Sequence, residues 1–110
     1  MADEDLQRRL ASNEAVFRKV NEGIERGQWP GEEGRRIGFR CECARLGCNL
    51  LLELTLTEYE HVRADPTRFV MISGHEIPTV ETVVEHMPGY VIVEKRDEAG
   101  EQAQATEPRS

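Results

Sequence analysis

Three cysteines fall within eight residues, in the run Phe39-Arg40-Cys41-Glu42-Cys43-Ala44-Arg45-Leu46-Gly47-Cys48, and the chain has no others. A C-x-C-x4-C cluster of this density constrains a short chain more than any other feature it carries. Three thiols gathered in one loop either share a cation or pack as small apolar residues. An odd number of them argues against a disulfide framework and toward metal or reactive-thiol chemistry. We read the stretch as a knuckle that recruits a histidine and closes around one Zn2+. Thiolate plus imidazole is the usual donor set of a structural zinc site. Cys41 and Cys43, one residue apart, are expected to face one metal through a turn between them, and Gly47 to permit the return bend before Cys48.

The fourth ligand is a choice among His61, His75 and His86. His75 is favoured because it follows Gly74 in a turn behind the apolar run Phe69-Val70-Met71-Ile72. Glu42, Glu76 or a water are the fallbacks. Three thiolates against one Zn2+ leave one negative charge, and Arg36, Arg40 and Arg45 are expected to donate to the sulfurs or screen them.

Size makes the metal reading more pressing. The chain has 110 residues, 38% hydrophobic and 32% charged. With a first helix, a Gly-rich linker and a polar tail set aside, an ordered core of about 60 residues remains, a size at which a metal or partner is often needed. Residues 4–26 read as a long helix whose apolar positions Leu6, Leu10, Phe17, Val20 and Ile24 form a heptad seam, with Asn13 in the gap. Asn13 is either a polar seam residue, or it follows an N-cap at Ser12. Leu10, Phe17, Val20 and Ile24, with Trp29 in the following loop, are the partner-binding candidates, and the seam is a candidate homodimer contact. The competing expectation docks the seam, and Trp29 as a plug, on the domain's own core.

Residues 27–35 have linker composition. The core, residues 36–96, reads as a strand at 36–41 and a second with Leu50, Leu52, Leu54 and Leu56 alternating. These two are expected to pair as a hairpin whose turn is the metal loop. A short helix follows, with Thr57 as N-cap and Glu60 closing a capping box. It ends before Pro66. A third strand at Phe69–Ile72 precedes a hairpin formed by 80–86 and 90–95. Residues 97–110 are polar and aperiodic, and are expected to be a disordered tail. The fold class is therefore α+β: a long N-terminal helix, then a small, mainly antiparallel, zinc-stapled sheet with one short helix.

A net charge of −7 opposes indiscriminate binding to nucleic acid or anionic membrane. No apolar run reaches the ~20 residues of a spanning helix, and no signal peptide is visible, so a soluble cytoplasmic protein is expected. The sequence carries no G-x-S-x-G, H-E-x-x-H, P-loop or dinucleotide fingerprint. A zinc hydrolase would need an open metal position with Glu42 or Glu76 as base, and three thiolates make the metal a weak Lewis acid. The expectation is a non-catalytic regulatory or adaptor module that binds a protein partner. The alternative is a redox, iron–sulfur or thiol sensor built on the same three cysteines and histidine.

Asn13-Glu14 with Phe17-Arg18, Val20-Asn21-Glu22, Phe39-x-Cys41-Glu42-Cys43 with Cys48, Glu58-Tyr59-Glu60-x-Val62-Arg63 and Gly74-His75-Glu76 together resemble a group of small uncharacterised actinobacterial proteins. The resemblance runs from Asn13 to Lys95. It implies a shared cytoplasmic role and a pairing of the cysteine knuckle with Gly74-His75-Glu76.

Overall fold

A computed structural model describes residues 2–28, 31–43, 45 and 47–108, without the side chains of residues 2–13 and 98. Trp29 and the side chain of Leu10 lie outside the described residues. The elements are α1 (Ala2–Gln28), β1 (Ile37–Arg40), β2 (Leu51–Leu54), α2 (Leu56–Arg63), β3 (Arg68–Met71), β4 (Glu81–Met87), β5 (Tyr90–Lys95) and α3 (Asp97–Ala105). β1 and β2 pair antiparallel, with Phe39 opposite Leu52 and Arg40 opposite Leu51. A second, three-stranded sheet has the order β3-β5-β4 and is also antiparallel throughout. The fold is α+β, as the patterning predicts.

Alternation explains the hairpin. Leu52 and Leu54 are buried on one face of β2, while Leu51 and Glu53 are exposed. Phe39 of β1 stacks on Tyr59 of α2, ring centroids 4.4 Å apart, and with Leu52, Leu54, Val62, Val70 and Ile92 builds the main core. A second cluster joins Phe69, Met71, Val91 and Val93 to Cys41, Cys43 and Ala103. β5 is buried at five of its six positions because it is the central strand.

Three expectations need correction. The capping box of α2 lies two residues earlier than predicted: Thr55 accepts from Glu58 N–H at 3.1 Å and Glu58 accepts from Thr55 N–H at 2.8 Å. The sequence offers T-x-x-E at both 55–58 and 57–60, and burial of Leu56 in the core selects the first.

The predicted disordered tail instead begins with α3, which lies against α1 and buries Ala99 beside Val80 and Ala103 among Phe69, Met71, Val91 and Val93. A face of alanines carries too little apolar signal for periodicity to register. It nevertheless allows close approach, and Ala103 O accepts Arg18 Nη2 at 2.8 Å.

The apolar seam of α1 is not its buried stripe. Glu14, Arg18, Asn21, Glu22 and Glu25 are the buried residues of its described part. Phe17 is half-buried and Ile24 packs beside the core, but Val16 and Val20 are 59% and 42% exposed. Glu14, Arg18, Asn21 and Glu22 of the inward stripe each meet a partner below them. Glu14 meets Lys95, which also holds Glu81. Arg18 donates to Pro66 O at 2.6 Å and lies 4.4 Å above the Phe69 ring. Glu22 pairs with Arg63, which also meets Glu107. Asn21 serves the knuckle.

Candidate metal centre

Cys41, Cys43, Cys48 and His75 converge: their donor atoms all lie within 4.8 Å of one another. His75 presents Nδ1, 3.6 Å from the sulfur of Cys41 and 3.7 Å from that of Cys48. With Zn–S of about 2.3 Å and Zn–N of about 2.1 Å, a tetrahedral centre has S···N edges of about 3.6 Å. The donor set and its spacing fit a metal ion. His61 and His86 lie elsewhere: His61 pairs with Glu85 at 2.8 Å, and His86 is exposed on β4.

Local backbone places each donor. Cys41 and Cys43 need no turn between them, contrary to expectation. The chain runs on from β1 without one, with Cys41 N–H on Leu50 O (3.0 Å) and Glu42 N–H on Val70 O (2.8 Å). Alternation then sends both cysteines to one side and Glu42 to the other, the period of extended chain. The first bond extends the β1–β2 hairpin and the second ties it to the edge of β3.

The other two donors follow matching turns. Cys48 N–H returns to Arg45 O at 3.2 Å and His75 N–H to Ile72 O at 3.0 Å. Each turn has glycine before the ligand, Gly47 at φ 81° and Gly74 at φ 94°, where an L side chain would be strained. Gly47 thus performs the predicted bend. Glu76, a fallback ligand, accepts from Gly74 N–H at 2.7 Å and fixes the second turn.

Glu42, the other fallback, is turned away from the donors and fully buried. Its carboxylate accepts from Asn21 Nδ2 (2.8 Å), Tyr59 OH (2.9 Å) and Val70 N–H (3.0 Å). Burial pushes its pKa up, and these three donors oppose that by favouring the charged form. Asn21 also clasps Arg40, accepting its N–H at 2.7 Å and donating to its carbonyl at 2.8 Å. A carboxylate engaged in this way is unsuited to act as a base at the metal.

Arg40 and Arg45 donate to the loop carbonyls rather than to the sulfurs, and Arg40 acts on Cys48 through its charge. Arg40 donates to Cys48 O at 2.8 Å and lies 4.5 Å over the Phe17 ring. Arg45 donates to Gly74 O at 2.9 Å, lacing the two ligand turns together. Arg36 stands apart, 3.2 Å from Glu53 O and beside Glu58. Its side chain is exposed and belongs to the hairpin, not to the metal centre.

Burial pushes the Cys41 and Cys43 thiols well above and above their ordinary range, respectively. Cys48 is lowered: burial acts upward on it too, but Leu50 N–H, the neighbouring thiols and the Arg40 charge outweigh it. A divalent cation among the three sulfurs would supply the positive charge that burial otherwise denies their thiolates. His75 N–H and Glu76 fix the turn after β3 from within, and Ile72 N–H joins that turn to the knuckle by donating to Cys41 Sγ at 3.2 Å.

Among the described residues no helix is long and apolar enough to cross a membrane. Comparisons with protein-family models, curated proteins and solved structures return no match, so the Cys3His geometry itself is the guide to what this chain does.

Proposed function

We propose that the protein is a small, non-catalytic module stabilised by one Zn2+ on Cys41, Cys43, Cys48 and His75, which presents its outer surface to a protein partner. One observation carries this reading: four donors from two chain segments, 27 residues apart at Cys48 and His75, converge at metal-ligand spacing. The donor set is thiolate-rich, which suits zinc over magnesium or calcium. Four protein ligands leave no position for a reacting water, as in structural sites. For the partner surface we assign the outward side of α1, where Val16 and Val20 are exposed, together with Leu50 and Leu51 at the start of β2. Partnering is the role of these side chains under this reading, whether with another protein or with a second copy of the chain.

Native mass spectrometry of protein purified without chelator, with a count of reactive thiols, tests the metal. One zinc with three protected thiols is the expected result. Iron and sulfide in the mass, with visible absorption, would move the centre to an iron–sulfur sensor. Apoprotein with three freely reacting thiols would overturn the proposal. Sedimentation of the wild type beside Val16→Glu/Val20→Glu then tests the α1 surface for self-association.

A further inference from the structure

The four donors are not equally shielded. Cys41 and Cys43 are 1% and 0% exposed. Cys48 and His75 are half-buried and line an open depression with Arg45, Gly47, Asn49 and Leu50. A small solute approaching the cluster therefore meets the Cys48 sulfur before the other two. The rim beside Cys48 opens to solvent, since a Cβ built on Gly47 would find nothing within 4 Å. Arg45 places a positive charge at the same rim, where anionic leaving groups are stabilised.

We propose, on the basis of the zinc reading above, that Cys48 is a site of oxidation by hydrogen peroxide and that its oxidation opens the metal centre. The Cys48 thiolate sulfur attacks one peroxide oxygen. An S–O bond forms, the O–O bond breaks, and hydroxide leaves and is protonated to water. The sulfenic acid at Cys48 then faces two further sulfurs within 4.8 Å. The thiolate of Cys41 or Cys43 attacks it, the S–S bond forms, and a second hydroxide departs as water. Two thiolates, one peroxide and two protons become one disulfide and two waters, with two electrons passing from sulfur to peroxide. Two of the four donors are lost together, and the remaining pair no longer makes a closed site.

The test uses the wild-type protein, first shown by native mass spectrometry to carry zinc. Peroxide is added in rising equivalents, zinc release is followed with a chromogenic chelator, and each cysteine is mapped by differential alkylation. One zinc released per peroxide consumed, with oxidation first at Cys48 and then a disulfide from Cys48 to a buried cysteine, is expected. Oxidation that starts at Cys41 or Cys43, or falls equally on all three, overturns the inference while leaving the zinc centre standing. So does zinc retained against a hundredfold excess of peroxide. Protein that carries no zinc at the outset overturns the metal reading, and this inference with it.

Discussion

Glu42 sits between two of the proposed ligands, yet its carboxylate is held on the far side of the chain by Val70 N–H, Asn21 and Tyr59. Removing that carboxylate leaves Tyr59 OH and Val70 N–H without this acceptor and Asn21 Nδ2 with Arg40 O alone, and each orphaned buried donor costs about 1–3 kcal/mol. Glu42→Ala should therefore lower unfolding stability by several kcal/mol while all four metal donors remain in place. Chemical denaturation measures the loss, and a change below about 0.5 kcal/mol would refute the role. Glu14 gives a pH signature. Burial raises its pKa from 4.5 to about 7, against the pull of Lys95. The folded state thus binds the Glu14 proton more tightly than the unfolded chain does. The stabilising contribution is full below about pH 4.5 and is lost as pH rises toward 7. Relative to Glu14→Gln, the wild type should lose on the order of 1–3 kcal/mol across that window. Parallel pH profiles of the two proteins would dismiss the effect. The four proposed ligands were legible in the sequence because cysteine and histidine are scarce and chemically distinctive. The role of Glu42 was not, since nothing local separates a buried carboxylate acceptor from a metal-side base.

At the scale of elements, legibility followed apolar contrast. β5 runs apolar and lies where the pattern puts it, and β1 pairs β2 as expected, although β2 spans only Leu51–Leu54 and Leu56 already belongs to α2. α1 and α3 break the rule in different ways. The inward stripe of α1 is Glu14, Arg18, Asn21, Glu22 and Glu25, and polar residues at helical spacing ordinarily face water. α3 offers only alanines. If α3 is a packed helix, Ala103→Asp buries a charge among Phe69, Met71, Val91 and Val93 and should cost on the order of 2–4 kcal/mol. A disordered tail would tolerate the change, so a melting temperature within a degree of wild type would decide against α3. The clasp of Asn21 on Arg40 and Glu42 also joins α1 to the loop that carries Cys41 and Cys43. Docking of α1 and loading of the metal should then favour each other, since coupling between sites is reciprocal. Asn21→Ala, which touches no donor, is expected to speed zinc transfer to a competing chelator severalfold. An unchanged rate would separate helix from metal.

Over the whole molecule, the proposed ion ties the β1–β2 hairpin to the turn after β3, and so one sheet to the other. Cys43→Ser, which removes a fully buried donor, is expected to abolish the cooperative melting transition rather than shift it. Retention of a normal transition would sink the structural role of the metal. The buried charges give the molecule a further property, one of timing. Arg18 needs Pro66 O, 48 residues later, and Ala103 O, 85 residues later. Lys95 lies 81 residues beyond Glu14, and Arg63 41 beyond Glu22. A ribosome adding roughly 5–20 residues per second makes the charged face of α1 several seconds before the last of its partners. During that interval the helix has water, not protein, for company. Its polar face, costly to bury once folding is complete, keeps the nascent segment soluble while it waits.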